Sequence, residues 1–90
     1  MIRISPEAAK MLRERLVRSC FEAGIGFRMF ATRDEHGEIA LMMKLDRTGP
    51  GDEVLESDGV RVFVDPISAA CVDDHELNYI HGPQHRFVLR

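Results

Sequence analysis

The sequence predicts a compact, β-rich α+β domain in which short hairpins pack against one long N-terminal helix. Three observations carry this expectation. Asp58-Gly59 stands between two apolar-bearing runs, residues 52–57 and 60–64. Asp-Gly in that setting is a strong hairpin signal, because a type I′ turn needs positive φ at both central residues. Ser5-Pro6-Glu7 combines a hydroxyl cap, a proline for the first turn and an acid near the positive end of the helix dipole. Behind it Ala8, Ala9, Leu12, Leu16 and Cys20 recur at helical spacing. The remainder reads as further short strands separated by turn residues.

In chain order, residues 1–4 form a short strand with Ile2 and Ile4 on one face. The helix follows, its stripe widened by Met11 and Val17, with Lys10, Arg13, Glu14, Arg15 and Arg18 mostly off it. Gly24 and Gly26 are natural stops, so the helix should end near residues 21–24. Residues 25–32 are a strand, Asp34-Glu35-His36-Gly37 its turn, and residues 38–45 the return. That return strand is apolar almost throughout, which implies burial on both faces or contact with another subunit. After a breaker-rich loop over residues 47–51 comes the Asp58-Gly59 hairpin, with Val60, Val62 and Val64 on a buried face. Asp65-Pro66 is an N-cap and first helical position; the short helix runs through Ile67, Ala70 and Cys71 to residues 73–74. A strand over 76–80, a turn at His81-Gly82-Pro83-Gln84 and a strand over 86–89 close a single domain spanning 1–90.

Composition excludes several function classes. The 90 residues carry 15 acidic and 12 basic side chains, a net charge of −3, which makes no electrostatic case for nucleic acid. No apolar run approaches the ~20 residues that span a bilayer, and no signal peptide is visible. The expected location is cytoplasmic, where Cys20 and Cys71, the two cysteines, are reduced thiols. No phosphate loop, dinucleotide fingerprint or nucleophile elbow is present, and no nucleophile–base pair is legible, so the chain is not expected to be an enzyme.

With the elements in place, the chain resembles the HesB/IscA family, the A-type iron–sulfur carriers. The residues that carry the resemblance are Ser5-Pro6-Glu7-Ala8-Ala9, Gly26-Phe27-Arg28-Met29 and Gly51-Asp52-Glu53-Val54 through Asp58-Gly59-Val60. Asp65-Pro66-Ile67-Ser68 and Leu77-Asn78-Tyr79 complete it. The resemblance implies a β-rich fold against one long helix, a tendency to oligomerise, and, in typical members, iron or an iron–sulfur cluster held by three cysteines. One of those cysteines sits in a turn after the second strand, and two sit in a Cys-Gly-Cys tail. Here the first-cysteine turn corresponds to His36-Gly37-Glu38, and the sequence stops at Arg90, directly after the final strand, with no counterpart of the tail pair. Cys20 and Cys71 match no ligand position.

The expectation is therefore a non-catalytic, cluster-less relative of the A-type carriers. It would act through protein contacts in iron–sulfur or sulfur metabolism, with no cofactor and no confident metal site. The alternative is an iron or iron–sulfur carrier with altered ligation, using His36 with Cys20 or Cys71 across a homo-oligomer. The plainer readings stand beside these. Cys71 and Cys20 are small apolar residues on helix faces, His36 belongs to a solvated hairpin turn, and Asp73-Asp74-His75 is a helix-end loop rather than a cation site.

Overall fold

A computed structural model describes residues 2–19, 22–83 and 85–90. These residues form strand β1 (Arg3–Ile4), helix α1 (Pro6–Arg18), strands β2 (Ile25–Arg33), β3 (Ile39–Arg47), β4 (Glu53–Ser57) and β5 (Val60–Val64), helix α2 (Pro66–Val72), and strands β6 (Glu76–Ile80) and β7 (Arg86–Leu89). The strands make two sheets, one of order β1-β6-β7 and one of order β3-β2-β5-β4. The domain is thus the expected β-rich α+β type with a long N-terminal helix.

Local chemistry explains the element starts. The Ser5 hydroxyl accepts from the Ala8 amide at 3.1 Å, and Asp65 Oδ1 accepts from the Ser68 amide at 2.6 Å; each cap is followed by proline. The β4–β5 turn has φ of +52° at Asp58 and +79° at Gly59, the pair of positive values that a type I′ turn requires. The hairpin registers Glu53 against Val64 and Ser57 against Val60.

Each sheet contains one pairing between strands far apart in sequence. β1 runs parallel to β6, with Arg3 opposite Glu76. β2 runs parallel to β5 over Phe27–Met29, with Phe27 opposite Val62. Beyond that short register α2 takes over the edge of β2, and the Ala31 amide donates to the Ser68 hydroxyl at 3.0 Å. One core lies between the helix and the sheets, formed by Ile2, Leu12 and Leu16, by Phe27, Met29 and Ala31 of β2, by the three valines of β5, and by Val72, Leu77 and Tyr79. Full burial of an aliphatic side chain such as Leu12 contributes ~1.5–3 kcal/mol.

Four expectations need correction. Helix α1 stops at Arg18, because Ser19 leaves helical geometry (ψ 139°) and its hydroxyl donates to the Arg15 carbonyl at 3.0 Å. The expected end at residue 21, and Cys20 with it, lie outside the described residues. Val17 does not widen the buried stripe: it is 71% exposed. Gly26 is inside β2 rather than a helix stop, and a Cβ there would stand 2.6 Å from the Arg61 carbonyl oxygen and 2.9 Å from the Phe63 ring. That close approach lets Phe63 bury fully on the face of β5 opposite the valines. Finally, β3 is not buried on both faces. It is a sheet edge whose side chains alternate, with Met42 at 64% exposure.

Candidate functional site

The β2–β3 turn, where the resemblance sets His36 against the family's first cysteine, is built by its own residues. Asp34 Oδ1 accepts from the amides of His36 (2.8 Å) and Glu38 (2.9 Å), and the Gly37 amide returns to the Asp34 carbonyl at 3.0 Å. Asp34 is thereby used up in folding the turn. His36 projects from it with its side chain 78% exposed, and its Nε2 lies 3.5 Å from Glu35 Oε1. Among the described residues only Glu35 approaches the imidazole, too loosely to hold it in one orientation as a metal-ligating histidine normally requires.

Cys71 comes close to this turn through Arg33. The Arg33 guanidinium donates to the Gly37 carbonyl at 3.0 Å and to the Cys71 carbonyl at 3.3 Å. The structure therefore brings the turn of His36 and the end of α2 together, a neighbourhood the sequence did not show. Two facts weaken it as a metal centre. Cys71 is half-buried and packs against the hydrophobic core. The group that joins turn and helix is itself a cation, which opposes a divalent ion between them.

Iron–sulfur ligation needs several converging thiolates. The whole sequence has two cysteines, and among the described residues no group of three Cys, His, Asp or Glu side chains is placed to hold a metal. Among the described residues of one chain the donor set does not fit a cluster. Asp73-Asp74-His75 forms a helix-end turn, with Asp74 at φ +63° and the His75 amide donating to the Val72 carbonyl at 3.0 Å.

The most organised polar group was not singled out from the sequence. Arg28 lies in the first half of β2, 9% exposed. Its Nε donates to Asp46 Oδ2 at 2.8 Å, and its Nη1 and Nη2 grip Asp52 in a fork at 2.8 and 2.5 Å. Nη2 also reaches the Arg47 carbonyl at 3.1 Å, and Asp52 accepts from the Gly49 amide at 2.6 Å. The hydrogen bonds from Arg28 hold the Asp52 carboxyl down at about 2, and they lower Asp46 as well. The same bonds hold the Arg28 guanidinium above its ordinary value. Chemically the set is closed, with every guanidinium nitrogen engaged, so it pins the loop between β3 and β4 to β2 and leaves nothing for a ligand. Its signal in the sequence was an arginine inside an apolar strand, with an aspartate at each end of the loop over residues 47–51.

A third cluster gathers on the β6–β7 hairpin. His81 Nε2 lies 2.6 Å from Glu7 Oε1, tying the hairpin to the start of α1. The His81 and Phe87 rings stand edge-on to Tyr79 at 5.0 and 4.9 Å. His81 and His85 are both exposed.

Neither a family model nor a curated protein matches the sequence. Solved structures do match the fold. The crystal structure of Escherichia coli SufA, a protein involved in biosynthesis of iron–sulfur clusters, superposes with a TM-score of 0.78 at 20% identity, over 99% of this chain and 78% of that one. The chain has the HesB/IscA-like fold. The crystal structure of IscA with its 2Fe–2S cluster agrees, with a TM-score of 0.76 at 21% identity, covering 100% of this chain and 84% of that one. On this HesB/IscA-like scaffold the described residues include no helix long and apolar enough to cross a membrane.

Proposed function

We propose that this chain is a non-catalytic relative of the A-type carriers that holds no cluster and acts through protein contacts, as an accessory or regulatory partner in iron–sulfur or sulfur metabolism in the cytoplasm. The observation that carries the reading is the contrast between scaffold and donor set. The fold is kept along the whole chain, while the turn after β2 presents a solvated His36, and Cys71, at the end of α2, packs against the core. Anaerobic reconstitution with ferrous iron and sulfide tests it. The expected outcome is no protein-bound sulfide and no charge-transfer absorbance after desalting. A stable, stoichiometric cluster overturns the proposal.

A second reading, a carrier with altered ligation, draws on the contact that Arg33 makes with both Gly37 and Cys71. It uses His36 with Cys71 or Cys20, shared between copies. Iron titration of the wild type against His36→Ala separates the two readings: equal, negligible uptake by both removes this one.

A further inference from the structure

A cleft of about 250 Å³ opens where the edge strands β3 and β7 meet the last turn of α1. Leu41 and Met43 of β3 and Phe87 of β7 form its apolar lining, half-buried and resting against the core. Arg15, His85 and Arg86 form its polar lining. The Arg15 guanidinium lies 4.9 Å from the centre of the Phe87 ring. That cation–π contact engages the face of the guanidinium and leaves its N–H donors unused. Both arginines are exposed, and neither has an acidic partner among the described residues, although the chain carries 15 acidic side chains against 12 basic ones. Two like charges on one cleft repel each other until an anion lies between them.

The kind of anion follows from the donors. One arginine is enough for a carboxylate, as the fork of Arg28 on Asp52 shows in this protein. Two open guanidiniums with an imidazole beside them suit a group with more charge and more acceptors. A phosphate monoester supplies ~−1.5 to −2 charges and three acceptor oxygens near neutral pH. The apolar lining adds a second requirement, an apolar body joined to that phosphate. Sites for drug-sized ligands run from ~300 to ~1,000 Å³, so a cleft of about 250 Å³ takes a compact one. We infer that this cleft binds a small organic phosphate, its oxygens on Arg15 and Arg86 and its apolar body on Leu41, Met43 and Phe87. The inference goes beyond the proposed function and stands whether or not the chain binds iron.

Phenyl phosphate is the probe, titrated into the full chain and followed by amide NMR shifts and by calorimetry. One saturable site is expected, with the largest shifts at Leu41, Met43 and Phe87, and added salt should weaken it. Arg15→Gln and Arg86→Gln should each weaken binding about tenfold, the loss of a charge-assisted contact. Arg13→Gln removes the same charge from α1, but from an arginine already paired with Asp58. It should leave the affinity within about twofold, as a screened surface charge does. Inorganic phosphate lacks the ring and benzoate lacks the phosphate, so each should bind about tenfold more weakly or worse. Thermal melts establish that each variant is folded, and the shift map needs no variant. Absence of saturable phenyl phosphate binding overturns the inference, as does a shift map centred elsewhere. Equal losses from Arg13→Gln and from the two cleft variants also overturn it, and show attraction to overall charge alone. Inorganic phosphate binding as tightly as phenyl phosphate overturns the assignment of an organic ligand.

Discussion

Strand β2 has two ends built on opposite principles. Near its start, Arg28 is nearly buried, and two carboxylates and a carbonyl take up its guanidinium. Beyond its finish, His36 stands in water with a weakly placed glutamate for company. One strand therefore carries a polar group that the fold cannot release and a polar group that the fold barely notices. Among A-type carriers the second place is the one associated by resemblance with metal, yet here the first has the organised charge. A functional reading based on charged residues alone would have chosen the structural end.

That contrast can be broken by mutation. Arg28→Ala strands Asp52 and Asp46 beside each other, and breaking a buried pair by removing one partner costs ~3–5 kcal/mol. Urea unfolding should show this as a large drop in midpoint. A variant within 1 kcal/mol of wild type would make the cluster ornamental. Acid offers a gentler probe of the same end. The Asp52 carboxyl titrates at about 2 in the folded chain against 3.8 ordinarily, so its contribution is fully present above pH ~4 and is lost as the pH falls from there through about 2. Wild-type stability should decline across that window, and Asp52→Asn, already weaker at pH 7, should decline less.

The other end should give smaller effects. Ser68→Ala removes the acceptor for the buried Ala31 amide and should cost ~1–3 kcal/mol, the penalty of an unmet buried donor. A shift in melting temperature reads it, and no shift would mean that water replaces the hydroxyl. His36→Ala should change stability by less than ~0.5 kcal/mol, as exposed substitutions usually do. A larger loss would show that the His36 side chain itself helps to hold the turn.

The sequence made the local features legible and the distant ones obscure. Asp58-Gly59, Ser5-Pro6 and Asp65-Pro66 each specify their backbone within a few residues, and all three appear as expected. Helix α1 ran short of its apolar period because the Ser19 hydroxyl competes for the last carbonyls, a local effect that an apolar stripe hides. Arg28, by contrast, acquires its partners 18 and 24 residues away, and no spacing rule joins them. Gly26 looked like punctuation because the residue it accommodates, Phe63, lies on a strand that becomes its neighbour only in the fold. At the candidate site the turn could be read as solvated, but the bridge from Arg33 to Cys71 spans 38 positions and had no local sign.

The parallel pairing of β1 with β6 has a consequence for how the chain is made. Arg3 and Ile4 are made well before their partners Glu76 and Leu77, which lie 73 positions further along the chain. At ~5–20 residues per second, the N-terminal strand waits several seconds with an unsatisfied backbone and Ile2 uncovered. Closing so long a loop also slows folding in the finished chain. The four-stranded sheet can assemble during that wait, because β2 to β5 are contiguous in sequence. The three-stranded sheet cannot, because β1 has no neighbour until β6 has been made.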